Sequence, residues 1–291
     1  MDISGWAMET VLKMQQNEIN EHFIYKKIAE KQKNPHNKEV LERLSAEEKK
    51  HYDIWANYSK KEVSPQKFKV FWRCLCAKIF GFTFVIKLME KGEHGAGNTY
   101  DRLSAEIPRS EEIAREENEH ENALIEILDE ERLQYVGSMV LGLNDALVEL
   151  TGTLAGLTLA MANTRIIALS GLITGISATL SMASSEYLSA KSEGRPDALK
   201  SCLYTGLAYV FTVALLIAPY LVFPPHAYLW ALFSMLIIVV LIIVVFNYYI
   251  AVAKDLPFKK RFCEMAAISL GVAGLSFVIG IFVKKVLGVE M

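Results

Sequence analysis

Apolar and polar positions divide the 291-residue chain into two unlike halves. From about residue 136 onward, five stretches, near 138–160, 166–188, 203–223, 227–250 and 264–284, are apolar over the roughly 20 residues needed to cross hydrocarbon. The fourth contains the uninterrupted run LWALFSMLIIVVLIIVVF. Before residue 136 the chain is rich in Glu and Lys, and its apolar residues recur at helical spacing. That pattern predicts helices near 5–33, 37–60, 82–104 and 109–135, broken by NPHN, by a segment beginning SPQK and by IPRS, with Pro35, Pro65 and Pro108 at the breaks. The expected fold class is all-α: a four-helix bundle over 1–135 followed by a five-helix transmembrane domain over 136–291.

Charge adds orientation. The net charge of −2 and pI near 6.3 average over the two halves and give no case for nucleic acid. The loops between spans two and three and between four and five carry Lys191, Arg195, Lys200, Lys254, Lys259, Lys260 and Arg261, whereas the other two loops carry only Arg165. Basic loops stay in the cytosol. The N-terminal half is therefore expected inside and the C-terminus outside, against the mild opposition of Lys284 and Lys285. The N-terminus lacks the basic and apolar regions of a signal peptide. Cys74, Cys76, Cys202 and Cys263 form no C-x-x-C pair and no zinc spacing.

Ionisable residues inside the spans point to chemistry. Segment one reads GLNDALVELTGTLAGL, with Asp145 and Glu149 one turn apart; segment two reads SMASSEYLSAKSE, with Met182 and Glu186 one turn apart. A carboxylate in hydrocarbon costs at least about 2.5 kcal/mol, which makes such residues functional candidates. Carboxylates and a thioether suit a cation path; protonated carboxyls packed against small residues are the alternative. Gly152-x-x-x-Gly156 and Gly171-x-x-x-Gly175 read as helix-packing positions.

The N-terminal half repeats one motif. Glu48 and His51 share a helical stripe with Leu41, Leu44, Trp55 and Tyr58, and Glu117 and His120 share one with Ile113, Leu124 and Leu128. The other two helices each carry a Glu seven residues before a Tyr, Glu18 to Tyr25 and Glu93 to Tyr100. One Glu from each of two helices plus Glu-x-x-His from each of the other two is the ligand pattern of a dinuclear iron or manganese site. Buried carboxylates need such compensating positive charge. Glu21 and Glu90 each stand three residues from a proposed ligand, as candidates for an additional ligand or for a place on the metal's way in. His22, His36 and His94 read as solvent-facing or supporting residues.

Two resemblances rest on these motifs. Residues 1–135 resemble the rubrerythrin branch of the ferritin-like proteins through Glu18…Tyr25, Glu48-Lys-Lys-His51, Glu93…Tyr100 and Glu117-Asn-Glu-His120. Residues 136–291 resemble the vacuolar iron transporter family through GLNDALVELTGTLAGL and SMASSEYLSAKSE. The second resemblance implies a dimeric, proton-coupled exporter of Fe²⁺ or Mn²⁺ with metal-handling roles at Asp145, Met182 and Glu186, and makes such a role plausible at Glu149. The chain departs from that family in having only KSEGRPDALKS where a Glu- and Met-rich cytosolic insert is common, and the ferritin-like half is expected to capture metal in its place. The expected function is export of Fe²⁺ or Mn²⁺ from the cytosol by an integral membrane homodimer whose bundle captures, senses or oxidises the metal. The rival readings are a membrane-anchored di-iron oxidase or peroxidase, and an iron-storage or sensing protein. Residues 67–82, KFKVFWRCLCAKIFGF, suit either an anionic bilayer surface or the crossover of the bundle, and the two are compatible. No Gly or Pro lies between Pro108 and Gly137, so the fourth helix is expected to run into the first span.

Overall fold

The structure is a computed structural model that describes residues 3–93, 97–117, 135–254 and 256–287. It is all-helical, with no strand among the described residues. The chain divides into two compact units, Met1–Glu130 and Glu131–Met291.

In the first unit, α1 (Gly5–Ala29) starts at an N-cap, where the Ser4 hydroxyl accepts a hydrogen bond from the Ala7 amide at 3.1 Å. Ser4 in turn donates from its amide and its hydroxyl to the Glu106 carboxylate, at 2.7 and 2.8 Å. α1 ends at Ala29, short of the expected residue 33, because EKQK at 30–33 offers no apolar side chain to bury. α2 (Pro35–Ser59) has Asn34 as N-cap and Pro35 at its first position, where the missing N–H costs nothing. α1 packs against α2. His22 joins them, its Nδ1 lying 2.6 Å from the Ser45 carbonyl oxygen. The buried Gln15 amide donates to the Lys61 carbonyl at 2.8 Å and holds the chain as it leaves α2.

The segment beginning SPQK contains a helix of its own, α3 (Lys67–Phe80), which packs on α1 and on α4 (Phe82–Glu93). α5 (Gly97–Ser104) lies with α4 in the stretch expected as one helix over 82–104; residues 94–96 between them are outside the described residues. α6 covers 109–117, and the rest of the helix expected to 135, including its run into the first span, lies outside them. Ala7, Val11, Met14, Trp55, Leu103, Ile107 and Ile113 form one buried core, to which α1, α2, α5 and α6 contribute.

In the second unit, five helices among the described residues are long and apolar enough to cross a membrane: Val136–Met161, Thr164–Ser192, Ala198–Val222, Tyr228–Ala253 and Phe258–Phe282. They are called the first to fifth spans. The turn between the first two is two residues long: Ala162 takes a left-handed conformation (φ 48°), and Asn163 caps the second span by accepting from the Arg165 amide at 3.0 Å. Glycines permit close packing. A Cβ on Gly280 would stand 2.7 Å from the Gly156 carbonyl oxygen, and one on Gly152 3.0 Å from Ser276 Oγ, so spans one and five meet almost backbone to backbone. Gly171 and Gly175 likewise admit Leu154 and Val213. Leu147, Leu150, Leu154, Tyr209, Leu216, Tyr220 and Met235 fill the interior, while Leu180, Phe211 and Phe233 stand outward, as lipid-facing side chains do.

Candidate metal centre

α1, α2 and α6 bring four sequence-predicted ligands together. One ligand atom from each of Glu18, Glu48, His51 and Glu117 lies within 4.8 Å of the others. Glu18, Glu48 and His51 are buried because the same helical stripes that carry them carry Val11, Leu41, Leu44 and Trp55. Trp55 adds a direct contact: its indole N–H donates to Glu18 Oε1 at 3.1 Å. His51 Nδ1 lies 2.8 Å from Glu117 Oε1, 3.9 Å from Glu48 Oε2 and 4.0 Å from Glu18 Oε2. Its other nitrogen, Nε2, lies 3.0 Å from Glu116 Oε2.

Three carboxylates in so small a buried volume demand positive charge. Burial, reinforced by the charges of Glu117 and Glu48, holds the Glu18 carboxyl well above the usual carboxylate range. Burial also works against an imidazolium at His51. The hydrogen bond to Glu117, the charges of Glu18 and Glu117 and the hydrogen bond to Glu116 outweigh it and push the imidazole up to about 9. Both shifts favour the protonated groups, and a divalent cation would bring the same compensating charge. Oxygen donors with one imidazole suit iron or manganese, and binding would release those protons.

The remaining expected ligands stand as follows. Glu93 and Glu90 lie on α4, but their side chains fall outside the description. His120 and His94 lie outside the described residues. Glu21 is half-buried on α1, one turn after Glu18. Glu116 was missed by sequence reasoning, because its role depends on which imidazole nitrogen faces the cluster.

In the second unit, Asp145 is half-buried and Glu149 exposed on the first span. Glu149 accepts a hydrogen bond from the buried Tyr209 hydroxyl of the third span at 2.8 Å. Met182 packs at the edge of the span core. Glu186 is the most heavily engaged: its Oε1 accepts from Ser138 Oγ at 3.0 Å, from Arg195 Nη2 at 3.1 Å and from Ser201 Oγ.

The position of Arg195 follows from a helix ending. The Arg195 amide donates to the Ala190 carbonyl at 3.0 Å and the Gly194 amide to Lys191 at 3.1 Å, while Gly194 takes φ 71°. This is a Schellman ending, and its left-handed residue is the glycine such an ending favours. It folds the chain back over the last turn of the second span and aims the Arg195 guanidinium at Glu186.

No curated protein matches the chain. The VIT family model matches residues 136–196, a stretch that contains Asp145, Glu149, Met182, Glu186 and Arg195. The five apolar helices and this match support an integral membrane protein whose residues 136–196 are similar to the VIT family.

Proposed function

We propose that the protein exports Fe²⁺ or Mn²⁺ from the cytosol in exchange for protons, and that the first unit is a ferritin-like domain that captures this metal. The observation that carries the reading is one chain holding both a cluster of three carboxylates and an imidazole, buried except for the half-buried Glu117, and a stretch matching the VIT family model with carboxylates inside its spans. The VIT family match supports membrane transport of iron or manganese.

In the first unit, Glu18, Glu48, His51 and Glu117 would hold the metal through their carboxylate oxygens and imidazole. Glu116, accepting from Nε2–H, would fix the tautomer in which Nδ1 is the ligating nitrogen. Trp55 orients Glu18. Glu93 and His120 are proposed to complete a dinuclear site, with Glu21 and Glu90 beside it; bound iron there would supply redox chemistry, which makes ferrous oxidation a compatible activity.

Across the membrane, Asp145, Glu149, Met182 and Glu186 are proposed to receive the cation in turn. Tyr209 steadies the Glu149 carboxylate by donating to it. Glu149 is exposed on a spanning helix of the single chain, and a carboxylate facing lipid is costly. That exposure supports a homodimer in which a second copy covers this face of the first span. The positive-inside pattern supports a cytosolic first unit and an external C-terminus. Metal flux into proteoliposomes, with Asp145→Asn and Met182→Ala as variants, tests the proposal: both variants should fold and lose most of the flux.

A further inference from the structure

We infer that α3 is an interfacial helix that docks the first unit on an anionic bilayer surface. Phe68, Phe71, Trp72 and Ile79 are 76, 59, 48 and 57% exposed, and their spacing of three, one and seven residues places them on one stripe of the helix. Leu75 falls on the same stripe. Val70, on the opposite side, is buried, and α3 packs on α1. The exposed stripe is therefore a second apolar face, not the one that attaches α3 to its own unit. Large exposed aromatic faces on helices mark interaction surfaces.

The charges select the partner. Lys67, Lys69 and Lys78 lie to either side of the stripe, Arg73 stands farther round, and α3 contains no Asp or Glu. An apolar face flanked by lysines is what a helix lying in the plane of an anionic leaflet requires: the rings sit at the headgroup boundary, and the ammonium groups reach the lipid phosphates. Two copies of this face brought together would set six flanking lysines against one another, which disfavours a second chain as the occupant. A bilayer is also within reach. Residues 118–135 separate Glu117 from the first span, a stretch that extends to at most about 65 Å. The chain's own spans thus hold a membrane at high effective concentration near α3. The inference depends on the chain being membrane-embedded and not on the identity of any transported ion.

The test uses the full chain in nanodiscs of phosphatidylglycerol or of phosphatidylcholine alone. Cys74, Cys76, Cys202 and Cys263 are replaced by Ser, and a nitroxide is attached at Phe68→Cys, at Phe71→Cys or, as control, at Glu39→Cys on the exposed side of α2. Docking predicts that in anionic discs the labels at 68 and 71 collide more with oxygen than with a water-soluble nickel chelate, and that the label at 39 does the reverse. Phosphatidylcholine discs, or Lys67→Glu with Lys69→Glu, should return 68 and 71 to the aqueous pattern. Nickel-accessible labels in anionic discs would overturn the inference, as would insertion that ignores lipid charge. Labels shielded from both reagents and dipolar-coupled between chains would assign the face to a second copy instead.

Discussion

Arg195 Nη2 lies 3.1 Å from Glu186 Oε1, so a loop cation already occupies the carboxylate oxygen that a transported cation would use. The pair is set nine residues apart by the Gly194 turn and is reinforced by Ser138 and Ser201. If Glu186 binds metal, Arg195 competes with it.

Arg195→Gln should therefore lower the apparent KM for metal. A charged hydrogen bond contributes about 1.5–3 kcal/mol. Arg195 is 38% exposed, and screening holds the effect near the low end, roughly tenfold in KM. Initial-rate uptake against metal concentration measures it; an unchanged KM would separate Glu186 from the path.

Glu48→Gln should raise the stability of the metal-free protein, because it removes one of the acidic groups crowded around the buried Glu18 carboxyl, and should abolish stabilisation by metal. A ligand at a thousand times its Kd adds about 4 kcal/mol. Thermal unfolding with and without Mn²⁺ reads both effects. An equal metal-induced shift in wild type and variant would exclude Glu48 as a ligand.

The Ser4 amide, then the Ser4 hydroxyl, holds the Glu106 carboxyl below its usual range. A group with a depressed folded pKa contributes its stability in full above the unfolded value and loses it as pH falls through the folded one. The start of α1 should thus loosen selectively in acid, while Glu106→Gln should be loose already and insensitive over that window. Limited proteolysis near residue 4 along a pH series compares them; identical pH profiles would contradict the assignment.

Gly280→Ala places a methyl group 2.7 Å from the Gly156 carbonyl, where backbone must shift, whereas Gly137→Ala meets nothing within 4 Å. The first should destabilise the spans by about 1–3 kcal/mol, and the second should not. Thermal aggregation in detergent ranks them, and equal midpoints would argue against close packing of spans one and five.

These features differ in how far the sequence foretells them. Glu48 and His51 are legible because a helix puts i and i+3 on one face, and the accompanying Leu41, Leu44 and Trp55 declare that face buried. The spans are legible from length and hydropathy alone. Glu116 is not, since it points away from Glu117 by one helical step and matters only through the far nitrogen of His51. Arg195 is half legible: Gly194 before Pro196 signals a helix ending, but the direction in which that ending throws the next side chain is a property of the backbone turn. α3 reads as amphipathic from sequence, yet only the packing of Val70 shows which of its faces remains exposed.

If the membrane unit carries metal through Asp145, flux across a bilayer must depend on that carboxylate. Purified protein is reconstituted into liposomes loaded with a metal-sensitive dye, and Mn²⁺ or Fe²⁺ entry is followed for wild type, Asp145→Asn and empty vesicles, with internal pH recorded in parallel. Expected are wild-type flux with opposing proton movement and a steep loss in Asp145→Asn at unchanged protein incorporation, because Asn keeps the shape and removes the charge a divalent cation needs in low dielectric. Wild-type flux no greater than that of empty vesicles, or Asp145→Asn transporting at the wild-type rate, would contradict this expectation.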